Sequence, residues 1–163
     1  MKTYFLIVLI FVSGGAIHTQ ENSYLLDSVN VALDKYTNHA ELFSNLNSIE
    51  VKGDSIYIHS IIRVKFPSQE KEIDVKTIYS YYPPDIQTIY NGQAPAKNWV
   101  IYLKTKGKKI GSCSYESSGK LKECSHTNIQ NLILGKMSKQ EIKSTMNLLI
   151  TIFNSEGSSI SMK

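Results

Sequence analysis

The chain has 163 residues, 42% of them apolar, with two cysteines and a formal net charge of +4. That length suits one ordinary domain with an adequate core. The charge is too small and too scattered to argue for nucleic acid, and no run approaches the roughly 20 apolar residues that span a bilayer.

The chain begins with a short basic stretch around Lys2, an unbroken apolar run from Phe5 to Val12, and the small residues Ser13, Gly14, Gly15 and Ala16. A charged end, a greasy middle and a small-residue cleavage region are the layout of a secretory signal peptide. Residues 1–16 are therefore expected to be removed after Ala16, leaving a single domain over 17–154 and a flexible tail over 155–163. The expected destination is extracellular. No Asn-x-Ser/Thr site is present, so N-glycosylation is not expected.

From Ser23 to about Leu46, apolar residues recur at spacings of three and four: Leu26, Val29, Leu33, Tyr36, Ala40 and Phe43. This predicts an amphipathic helix with Asp27, Asn30, Asp34, Asn38 and Glu41 on its wet side. Two strands follow, 55–66 and 71–82, joined around Pro67–Glu70. Pairing Phe66 with Lys71 sets Val64 opposite Ile73, Ile62 opposite Val75 and Ile58 opposite Tyr79. The same register sets Arg63 across from Asp74 and Lys65 across from Glu72. A one-residue slip breaks both sets together. Pro83-Pro84 ends the second strand because proline donates nothing to a ladder.

Residues 83–97 read as a long irregular segment with at most a short strand at 86–90; segments of this length are often functional. Three further strands are expected over 99–105, 108–116 and 121–125. A turn at Ser118-Gly119 puts Cys113 opposite Cys124, predicting a disulfide that staples neighbouring strands. Residues 127–134 read as a turn or short helix ending at Gly135. Ser138 and Glu141 form a capping box for a last helix carrying Ile142, Met146, Leu149 and Phe153 on one face. The fold class is α+β: an antiparallel sheet of about five strands, with an N-terminal amphipathic helix and a C-terminal helix packed on it.

Local catalytic signatures are missing. The four histidines, His18, His39, His59 and His126, share no spacing that gathers imidazoles around a metal, so no metal or cofactor is expected. Both cysteines are committed to the disulfide, no serine sits in Gly-x-Ser-x-Gly, and no glycine-rich phosphate loop occurs. A carboxylate pair assembled from separate strands would leave no local signal.

Binding residues are easier to nominate. Tyr57, Ile61, Ile78 and Tyr82 share the face opposite the expected core. His59 is placed there too, and Tyr90 lies in the 83–97 segment. Uncovered, that face is a recognition patch; covered by the C-terminal helix, it is a second core layer. Lys104, Lys106, Lys108 and Lys109, with Lys120 and Lys122, form a candidate basic tip for weak contact with an anionic surface. The plainer reading is that lysines guard sheet edges against aggregation.

The order of a helix followed by antiparallel strands is similar to that of the cystatin family. Gln87-Thr88-Ile89-Tyr90-Asn91-Gly92 resembles its Gln-x-Val-x-Gly loop, with one residue more and a position after the second long strand. The resemblance implies protease inhibition. The leading expectation is a secreted, non-catalytic binding protein that contacts an extracellular protein or host molecule through the sheet face and the 83–97 loop. The alternatives are an extracellular carrier of a lipid or small hydrophobe, a cystatin-like inhibitor, and a small secreted hydrolase.

Overall fold

The computed structural model describes residues 23–36, 38–39, 43–66, 71–94 and 98–160. The expected leader over 1–16, His18 and the hairpin tip at 67–70 lie outside the described residues. Helix α1 covers 23–35. Four strands follow: β1 (Asn38–His39), β2 (Phe43–Lys52), β3 (Ser55–Phe66) and β4 (Lys71–Tyr81). After a 3-10 turn at Pro83–Asp85 come β5 (Ile86–Gln93), β6 (Trp99–Thr105), β7 (Ile110–Tyr115), β8 (Leu121–Thr127) and β9 (Ile129–Leu134). Helix α2 (Lys139–Ser155) comes last. The class is α+β, and the strands divide into a six-stranded sheet ordered β1-β2-β3-β4-β7-β8 and a three-stranded sheet ordered β5-β6-β9, every pairing antiparallel.

The β3–β4 hairpin has the expected register throughout, including Ile58 with Tyr79, Ile62 with Val75 and Arg63 with Asp74. Cys113 lies opposite Cys124 and is bonded to it. Ser138 accepts from the Glu141 backbone and Glu141 accepts from the Ser138 backbone, closing the predicted box at the start of α2.

Three expected secondary-structure assignments are overturned. The first helix stops at residue 35, and Asn38–His39 and Phe43–Lys52 are strand. The sequence hides this because Asn45 and Asn47 occupy inward positions of β2, beside Ile49, where alternation would demand apolar groups. Both are buried, and Asn47 donates to the Ile133 carbonyl at 3.2 Å. The second correction concerns the segment expected to be irregular over 83–97: Ile86–Gln93 is a strand paired to β6, with a register shift between Ile86 and Thr88. The third concerns 127–134, which contains β9 and no helix. Its inward residues are Gln130, Leu132 and Leu134, and a glutamine in that row again masks the period.

The core gathers residues of both sheets and both helices. Val29 and Leu33 enter from α1, Ile56, Ile58 and Tyr81 from the larger sheet, Ile101, Leu103 and Leu132 from the smaller, and Met146, Leu149 and Phe153 from α2. Each such side chain contributes about 1.5–3 kcal/mol on burial. Tyr81 meets Phe153 edge-on, ring centroids 5.6 Å apart. Burial pushes the Tyr81 hydroxyl well above its ordinary pKa, with Tyr79 adding to the effect. α1 and α2 are pinned where α1 ends: Tyr36 donates to Glu141 at 2.7 Å, and Lys35 lies 3.7 Å from the same carboxylate. The Tyr36 hydroxyl, then Ser138, hold the Glu141 carboxyl down to about 2.

The tail expected to be flexible from Ser155 is folded back as far as residue 160. Asn154 accepts from the Ile160 backbone N–H and donates to its carbonyl, each at 2.9 Å, and Ile160 is buried.

Candidate functional site

Because α2 and α1 cover the face that carries Ile56, Ile58 and Tyr81, the alternate residues of β3 and β4 point the other way. Neither helix covers the Tyr57 face, so that face is not a second core layer beneath them. On it lies a cleft of about 380 Å³ lined by Ile61, Asp74, Lys76, Ile78, Tyr115, Glu116, Ser117 and Gly119.

Strand pairing builds this cleft. Ile61 faces Lys76 across β3 and β4, and Lys76 faces Tyr115 across β4 and β7. Ile78 faces His59 on one side and Cys113 on the other. Ile61, Ile78 and Tyr115 thus form an apolar floor beside the disulfide. The β7–β8 turn supplies the rim, where Gly119 has a φ of 83°, a left-handed conformation that favours glycine.

The charges around the floor are unequal. Arg63 grips Asp74 with two hydrogen bonds of 2.8 Å, and that grip lowers the Asp74 pKa. Both side chains are more than a third exposed, so the pair contributes about 1 kcal/mol at most. Lys76 is half-buried with no ion pair among the described residues. Glu116 is exposed, and among the described residues its carboxylate accepts only a 3.4 Å contact from the Ser118 hydroxyl.

Of the six residues nominated from the sequence, Tyr57, His59, Ile61 and Ile78 share this outer face, with Ile61 and Ile78 in the cleft itself. His59 Nε2 lies 2.9 Å from Glu50, whose pKa falls through that bond and a second one from Lys52. Tyr82 is 52% exposed beyond the end of β4 and does not line the cleft. Tyr90 belongs to the smaller sheet, where it stacks on Tyr102 at 4.9 Å. Tyr102 also lies over Gly92, where a Cβ would come within 3.2 Å of its ring. That pair is cross-strand packing over a glycine. Asp74, Lys76, Tyr115 and Glu116 were not nominated. The β3–β4 register already put Lys76 beside Ile61, but nothing local announces that β7 joins β4.

The six lysines do not form one tip. Lys106 and Lys108 are exposed on the β6–β7 turn and Lys109 pairs with Asp85. Lys120 and Lys122 sit at the other end of β7, roughly 20 Å away by strand rise. Gln87–Gly92, which resembles the cystatin loop, lies within β5. Among the described residues, no helix is long and apolar enough to cross a membrane, and no group of three His, Cys, Asp or Glu side chains is placed to hold a metal.

No family model, curated protein or solved structure matches this chain. Fold and site define an α+β domain with an amphipathic cleft on its uncovered sheet face.

Proposed function

We propose that the protein is exported and acts as a non-catalytic binding protein through the outer face of its six-stranded sheet, centred on Ile61, Ile78 and Tyr115. The observation that carries this reading is the cleft: apolar side chains left uncovered by both helices and ringed by charge. Ile61, Ile78 and Tyr115 are partly exposed, and apolar surface left open to water in a cleft supports a contact role. The volume falls within the roughly 300–1,000 Å³ of ordinary ligand sites. Chemistry at the cleft's carboxylates is disfavoured, because Arg63 holds Asp74 ionised and Glu116 lies on an exposed turn. Export is supported by the leader pattern and by the disulfide, which persists in oxidising compartments.

The test is amine-directed cross-linking of the protein in the fluid of its own secreting cells, followed by mass spectrometry. A mature chain beginning at Ile17 is expected, with Lys76 joined to a discrete partner. Ile78→Asp should abolish that adduct without changing the thermal transition. A partner retained by a folded Ile78→Asp variant would refute the reading.

A further inference from the structure

We infer that the occupant of the cleft is a segment of another protein that presents one large apolar residue between an acidic and a basic one; this rests on the binding role proposed above. Arg63 neutralises Asp74 through its double hydrogen bond. Lys76 lies between Ile61 and Tyr115 in the strand register and lines the cleft with them; a lysine so placed lays its stem on apolar surface and keeps its ammonium in water. That ammonium has no ion pair among the described residues, and Glu116 on the facing turn has only the Ser118 hydroxyl.

Among the described residues, one cation and one anion without an ion pair therefore flank the floor. A purely apolar ligand leaves both unmatched. An anionic amphiphile matches Lys76 but brings like charge towards Glu116. An apolar group flanked by both signs satisfies floor and rim together. The exposed residues Glu116, Ser117 and Gly119 line the cleft, so its occupant stays partly in solvent. That suits a side chain anchored in a larger body, in the way interface anchors enter pockets.

The experiment follows the Ile61 and Ile78 methyl signals by NMR while the disulfide-bonded protein is titrated with three probes. These are acetyl-Glu-Phe-Lys-amide, acetyl-Gln-Phe-Gln-amide and decanoate. The charged peptide should move both methyls and bind about three- to tenfold more tightly than the neutral one, as two partly exposed charge pairs allow. The margin should shrink in high salt. Lys76→Gln and Glu116→Gln should each shrink that margin, because each removes one of the two charge pairs. Equal affinity for the two peptides, or tighter binding of decanoate than of either, would overturn the inference and leave the cleft a binding site of another kind. If no probe moves either methyl, the binding role of the cleft falls as well.

Discussion

Replacing Asn30 tests how the larger sheet is finished at its β2 end. β1 covers β2 only at Ser44 and Asn45. Further along that edge, the Ile49 N–H donates to the Asn30 side-chain oxygen at 2.8 Å, and the Asn30 amide donates to the Ile49 carbonyl at 2.9 Å. One side chain thus stands in for a neighbouring strand, although helical periodicity assigns it to the wet face. Ile49 is only 3% exposed, so water is a poor substitute. Asn30→Ala deletes two hydrogen bonds worth about 1 kcal/mol each and strands two buried backbone groups. The expected loss is about 2–4 kcal/mol. Asn30→Asp keeps the acceptor but sets a carboxylate against the Ile49 carbonyl. Its folded pKa should rise above the unfolded value of about 4, because only the protonated form donates. The deficit relative to the parent should therefore be greatest at neutral pH and close as pH falls through the folded pKa. Urea unfolding followed by circular dichroism reads both effects. A loss of less than ~0.5 kcal/mol for Asn30→Ala, with unchanged m-value, would refute the bridge as a structural element.

Further outcomes follow from other sites. The Tyr81 hydroxyl and both amide atoms of Gln130 are buried without a hydrogen-bond partner among the described residues. Tyr81→Phe, which keeps the edge contact with Phe153, should raise stability by about 1 kcal/mol; a loss of that size in thermal melts would reveal a partner for the hydroxyl. Cys113→Ala/Cys124→Ala, which opens a loop of sequence separation 11, should cost about 3 kcal/mol in urea titrations. The Glu141 carboxyl is held at about 2 in the fold, so the stability it contributes is complete above its unfolded pKa and is lost as pH falls towards 2. Glu141→Gln should flatten the melting temperature across that acid window, and an unchanged acid profile would remove Tyr36–Glu141 as a pH-sensitive clasp.

Legibility in the sequence followed the strength of the period. The β3–β4 hairpin was readable because an apolar row and two opposite-charge pairs demanded the same register. The Cys113–Cys124 turn was readable because Ser118-Gly119 centred it. α2 carried both a capping box and a clean stripe. β2 and β9 failed for one shared reason: Asn45, Asn47 and Gln130 occupy inward positions, and buried polar groups erase the alternation on which strand recognition depends. The cleft was half legible. Ile61 and Ile78 follow from parity within one hairpin. Tyr115 and Glu116 require knowing that β6 leaves for the smaller sheet while β7 joins β4, a non-local choice that no short pattern records.

The two ends of the larger sheet differ, and the difference limits how copies of this protein can meet. At the β2 end, β1 and Asn30 occupy backbone groups that a stranger would need. At the other end β8 is the last strand, exposed over residues 121–126. Among the described residues the β8 margin is thus the more open of the two: copies joined margin to margin there would each bury it, and growth through that margin would stop at a pair.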